Sequence, residues 1–149
     1  EPGSNHYRIR FLFEEDYYRL HISGDLGHLI ATNFKNMTYE GFSDFVHNPG
    51  YFSGKIDCMD RDRYSYDQDL AAKDLRERFL DYGYDYEDYI DLILEDFSDI
   101  DGIGPEGFRI LSEIDCDCFE YAGRIGREET GIIDLYLLAF ELAQKKLNQ

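Results

Sequence analysis

Between Asp81 and Glu120 the chain carries fourteen acidic side chains and a single basic one, Arg109. Charged groups lose too much hydration to be buried unpaired, and one base cannot pair fourteen carboxylates, so most of them have to stay at the surface. The segment can therefore fold only as elements with one apolar face turned inward and one acidic face left wet. The acidity is regional: this stretch accounts for −13 of the chain's −17, residues 1–80 carry −4, and residues 121–149 are balanced. A folded region of one sign works against its own compactness through self-repulsion.

The apolar pattern inside the segment fits this demand. Tyr86, Tyr89, Ile90, Ile93, Leu94 and Phe97 recur at helical spacing and predict a helix over Asp85–Phe97. Asp88, Asp91 and Glu95 fall on another face, separated along the axis by roughly 4.5 and 6 Å. Like charges so placed cost a few tenths of a kcal/mol per pair, and this helix contains no Lys or Arg to offset them. Gly102-Ile103-Gly104-Pro105 then opens a short helix through Ile114, with Pro105 in the first turn, where its missing N–H is harmless. Asp115–Tyr121 reads as a strand.

Outside the segment the period changes. His6–Phe13 and Tyr17–Ser23 alternate in polarity around Glu14-Glu15-Asp16, a hairpin pattern. Arg8, Arg10, Arg19 and His21 line one of its faces; Ile9, Phe11, Phe13, Leu20 and Ile22 line the other. Leu26–Phe34 fits a third strand or a short helix. Thr38 is placed to cap a helix over Tyr39–His47 that Asn48-Pro49-Gly50 would stop, and a strand is expected around Gly54–Met59 within an irregular stretch. Asp67 caps a helix carrying Ala71, Leu75, Phe79 and Tyr82. The last helix begins at Thr130 or Gly131 and is apolar around most of its circumference, the mark of a core element.

These elements define an α+β fold, an N-terminal antiparallel hairpin or small sheet packed against four to five helices. Glu1-Pro2-Gly3-Ser4 reads as an expression remnant, and residues 5–149 as one domain. At 149 residues the length suits one ordinary core, with 24 Phe and Tyr rings to fill it. No apolar run of membrane-spanning length occurs, and no secretory leader pattern is visible. Three cysteines, Cys58, Cys116 and Cys118, match neither a zinc knuckle nor a redox pair, which suggests reduced thiols in a cytoplasmic protein.

Several chemistries fail on spacing. In an EF-hand register set by Gly102, Phe97 takes the first ligand position and Phe108 the last, where a Glu is required. The four histidines lack zinc-hydrolase spacing, and neither a Gly-x-Ser-x-Gly elbow nor a phosphate loop is present. The expectation is a non-enzyme with no catalytic residues, cofactor or metal.

Phe97–Ile114, with its Gly-Ile-Gly-Pro turn between two helical stretches, resembles the helix-hairpin-helix family. That resemblance implies backbone amides presented to a nucleic-acid phosphate. The flanking residues Asp99, Asp101, Glu106 and Glu113 have the wrong sign for it, since phosphate binding is driven by cations. Direct nucleic-acid binding is not expected.

The acidic segment itself admits two readings. One is a solvated face that keeps the protein soluble. The other is a negative surface for a basic partner. Phosphates lie about 3.4 Å apart along each DNA strand, a spacing that carboxylates on a helix can approach. By charge distribution the chain is similar to acidic inhibitors of nucleic-acid enzymes: DNA mimics that block restriction or CRISPR systems, and immunity proteins that neutralise nuclease toxins. The implied partner is a basic nucleic-acid-binding protein such as a nuclease, restriction enzyme or CRISPR effector. The contact residues expected are Asp85, Asp88, Asp91, Glu95, Asp96, Asp99 and Asp101, with Tyr84 as a ring contact. The alternatives are a general interaction or regulatory domain using Arg8, Arg10 and Arg19, and, more remotely, a small hydrolase built on two carboxylates.

Overall fold

The computed structural model describes residues 7–83 and 85–149. The chain divides into two compact units, Glu1–Arg63 with Gly131–Gln149, and Tyr64–Thr130.

The first unit begins with three strands, β1 (Ile9–Glu14), β2 (Arg19–Gly24) and β3 (Leu29–Thr32). Two short helices follow, α1 (Ser43–Val46) and α2 (Pro49–Ser53), and then β4 (Ile56–Met59). The strands form one antiparallel sheet in the order β1-β2-β3-β4. Strand period two sends alternate residues to opposite faces. Leu20, Ile22, Leu29 and Ala31 are buried on one face, where Phe11 and Phe13 join Phe42, Phe45 and Phe52. The other face carries the row Leu12–His21–Ile30–Cys58, opposed residue by residue across all four strands.

The second unit runs through β5 (Tyr64–Tyr66), α3 (Gln68–Phe79), α4 (Glu87–Glu95), β6 (Phe97–Ser98), β7 (Gly102–Ile103), α5 (Pro105–Ile114) and β8 (Arg127–Glu129). Strand β5 pairs with β8 and β6 with β7, both antiparallel. Ala71, Leu75 and Phe79 from α3 meet Ile90 and Ile93 from α4 and Ile110 and Leu111 from α5. The chain then returns to the first unit through α6 (Ile132–Leu147), whose Ile133, Tyr136, Leu137 and Phe140 complete the sheet's core. Buried Tyr136 donates its hydroxyl to the Leu26 carbonyl at 2.7 Å.

The α+β class is therefore as the pattern implied, while the buried side chains gather into two clusters rather than one. Local differences have local causes. Thr38 accepts the Gly41 N–H at 3.0 Å and caps a turn, so α1 is only Ser43–Val46. Asn48-Pro49 follows the end of α1 at Val46, as expected, and also starts a second helix: Asn48 accepts the Tyr51 N–H and Pro49 occupies the first turn of α2. The strand expected over Asp115–Tyr121 is absent, and Cys118–Glu120 is a 3₁₀ turn that buries Cys118 and leaves Cys116 exposed. Among the described residues no helix is long and apolar enough to cross a membrane.

Candidate partner-binding surface

The two units differ sharply in charge. Tyr64–Thr130 holds twenty acidic side chains against six basic ones, a net −14, leaving −3 for the rest of the chain. What this field can do depends on which carboxylates are already engaged.

Glu87, in the first turn of α4, is engaged. Arg76 of α3 donates to both of its oxygens, at 2.8 and 3.1 Å. The bond draws the Glu87 carboxyl below its ordinary pKa and raises that of the guanidinium. Asp85 lies just ahead of the helix and accepts the Glu87 N–H at 3.1 Å, satisfying one donor that the first turn leaves open. Further along α4 the pairing stops. Asp88, Asp91 and Glu95 are exposed, and their side chains make no ion pair or hydrogen bond among the described residues. The helix ends on Glu95 with Asp96 following and no base in its last turn, although the helix dipole favours cations there. Glu95 therefore sits where the backbone field opposes it.

Within this acid face lies apolar surface. Leu92 is 45% exposed and Tyr89 47%. Leu92 is four residues after Asp88 and three before Glu95, so helical geometry sets all three side by side. Tyr89 ends a run of rings, Phe79–Tyr82–Tyr86–Tyr89, with successive centroids 5.9, 6.2 and 6.0 Å apart. The helical stripe thus places Tyr86 against the core and leaves Tyr89 at the surface.

Asp96 behaves differently from its neighbours. Its Oδ2 accepts the backbone N–H of Glu106 at 2.7 Å and of Gly107 at 3.3 Å, while its carbonyl accepts the Gly104 N–H at 2.6 Å. Position 104 has to be glycine for this, because a Cβ there would collide with the Asp96 carboxylate. Gly107 lets α5 approach α4 closely, since a Cβ would stand 2.7 Å from the Ile93 carbonyl oxygen. The Gly-Ile-Gly-Pro segment lies between α4 and α5, but its Gly102–Ile103 is strand β7 paired with β6, so a small β-hairpin stands where the helix-hairpin-helix resemblance implies a simple turn. The amides at the start of α5 are taken up by Asp96, the Gly104 N–H by its carbonyl and the Glu106 and Gly107 N–H groups by its carboxylate.

Asp99 and Asp101 are exposed in the turn between β6 and β7, on either side of Ile100, which is 70% exposed. On α5, Arg109 holds both Glu106 and Glu113, so the segment's one base is taken up within its own helix. Asp115 accepts the hydroxyls of Tyr121 at 2.8 Å and Tyr82 at 3.1 Å, and the Asp117 N–H at 2.9 Å. Asp115, Cys116 and Asp117 bring possible ligand atoms within 4.8 Å of one another, but those bonds already occupy Asp115.

Of the residues expected at a contact surface, Asp88, Asp91 and Glu95 share one helix face, with Asp85 at its start. Asp99 and Asp101 follow on the next turn. Asp96 is committed to α5, and Tyr84 lies outside the described residues. The pattern reading overlooked Leu92, whose signal was its position, an apolar residue spaced as a member of the acid stripe. The carboxylates Asp74, Glu77 and Asp81 line a hollow of about 390 Å³ with Arg78 and Arg124. Asp74 is engaged there by the Gly126 N–H at 2.8 Å.

Comparison with known proteins finds no matching family model, no matching curated protein and no matching solved structure.

Proposed function

We propose that the Tyr64–Thr130 unit is the working surface of a non-enzymatic inhibitor, binding the basic nucleic-acid site of another protein in place of nucleic acid. The observation that carries this reading is the outer face of α4. Asp88, Asp91 and Glu95 stand exposed there without an ion pair or hydrogen bond among the described residues, Asp91 feeling Arg76 only through space, while Arg76 and Arg109 pair directly with other acids of the same unit. A face serving only solubility has no need to leave one helix without a cation.

Repulsion along such a face is relieved when a cationic surface closes over it, which converts a local cost into affinity. The long-range field would accelerate encounter and make it sensitive to salt. Leu92 and Tyr89 add short-range apolar contact inside a charged rim, the arrangement in which interface energy concentrates. A nuclease, restriction enzyme or CRISPR effector is the class of partner, and a cytoplasmic location follows from it.

Salt titration separates this from a general interaction domain whose acidity is incidental. Binding to a panel of purified nucleases, restriction enzymes and CRISPR effectors is measured from low to high salt. For an authentic target the affinity should fall steeply and regularly with salt concentration. An affinity that barely changes, and that is lost on replacing Arg8, Arg10 and Arg19 instead, supports the interaction-domain reading.

A further inference from the structure

We infer that the open face of the four-stranded sheet is a binding site for a small amphiphilic anion, an aliphatic or aromatic carboxylate. This site belongs to the first unit and does not rest on the function proposed for the acidic one. A hollow of about 560 Å³ lies over this face, lined mostly by apolar atoms. Hollows of roughly 300–1,000 Å³ are the size that encloses small organic ligands.

Its floor is the row Leu12–His21–Ile30–Cys58, in which Leu12 is 54% exposed although it sits mid-strand. The charged and titratable groups lining the hollow differ in one respect. His21 faces Glu14 at 2.9 Å, and His28 faces Asp60 at 2.8 Å. Arg10 is exposed and makes no ion pair or hydrogen bond among the described residues. A guanidinium with no partner among the described residues, beside an apolar floor, matches a ligand with an apolar body and one carboxylate, which Arg can hold through two parallel bonds. A cationic amphiphile would meet Arg10 as a like charge.

Cys58 provides a reporter, being an exposed free thiol on the floor of the hollow, while Cys116 is an exposed free thiol in the other unit. Alkylation by N-ethylmaleimide is followed at each cysteine by peptide mass mapping, with octanoate or octyltrimethylammonium present. Octanoate should slow Cys58 several-fold and leave Cys116 unchanged, and octyltrimethylammonium should leave Cys58 unprotected. Arg10→Gln, at an exposed position, should fold normally and lose the protection by octanoate. No protection by octanoate, equal protection by both amphiphiles, or protection that survives Arg10→Gln each overturns the assignment.

Discussion

Asp96 Oδ2 accepts the backbone N–H of Glu106 at 2.7 Å, so one acid of the α4–α5 region serves the fold while its neighbours Asp91 and Glu95 face solvent. The two roles are separable by stability. Asp96→Ala removes the cap of α5 and should lower the unfolding free energy by about 1 kcal/mol, within the usual range for caps. Asp88→Ala should change it by less than about 0.5 kcal/mol. Urea denaturation of the two variants beside the parent checks both values.

Close approach of α5 to α4 gives a second expectation. Gly107→Ala brings a methyl group to 2.7 Å from the backbone oxygen of Ile93, which has no side-chain freedom with which to yield. The cost should be about 1–3 kcal/mol, as for other overpacked interiors. A thermal scan showing an unchanged midpoint would contradict the packing described between these helices.

Charge reversal on the outer face separates binding from stability. Asp88→Lys with Glu95→Lys removes like-charge pairs with Asp91 and puts a cation in the last turn of α4, where the dipole favours one. The double variant should keep the parent's circular dichroism and change stability by less than about 0.5 kcal/mol, since Asp88→Lys loses a favourable anion from the first turn while Glu95→Lys adds a favourable cation to the last. It should also lose capture of a basic partner. Retained capture by a folded double variant would move the binding surface elsewhere.

Asp115 supplies a dependence on pH. The Tyr121 hydroxyl, aided by the Asp117 N–H and the Tyr82 hydroxyl, holds its carboxyl below the ordinary value. A carboxylate depressed in the folded state stabilises above its unfolded pKa of about 3.9 and loses that contribution as pH falls through the folded value. Tyr121 is shifted the opposite way, raised first by burial and then by Asp115. Its contribution is therefore full below the unfolded tyrosine value of about 10 and is lost at higher pH. Asp115→Asn should flatten the acid limb that begins near the unfolded carboxylate value of about 3.9 and continues to lower pH, in urea titrations at stepped pH.

Much of the fold was legible because burial is periodic. The alternation in Phe11, Phe13, Leu20 and Ile22 marked the sheet's inner face, and Ala71, Leu75 and Phe79 marked α3. Capping residues were legible in kind but not in use. Asn48-Pro49 can end one helix or begin another, and here it does both, with α1 stopping at Val46 and α2 starting at Pro49 so that Phe52 packs against Phe42 and Phe45. The same limit applied at the surface. Asp88 and Asp96 are equivalent as letters in an acidic run, and Asp96 is distinguished only by α5 folding back to place its first amides on that carboxylate. Arg76 is eleven residues from Glu87, so their pairing depends on α3 lying beside α4 and not on any spacing within one helix.

On the function proposed, the α4 face takes the place of nucleic acid on a basic protein. Duplex DNA competition tests it most directly. The immobilised chain captures proteins from an extract of the source cell or its competitor, and duplex DNA is then titrated over the bound material at fixed salt. The expected result is release of nucleic-acid-binding proteins by DNA, with no capture by the Asp88→Lys, Glu95→Lys variant. Captured proteins that resist DNA and bind the double variant equally well would contradict it.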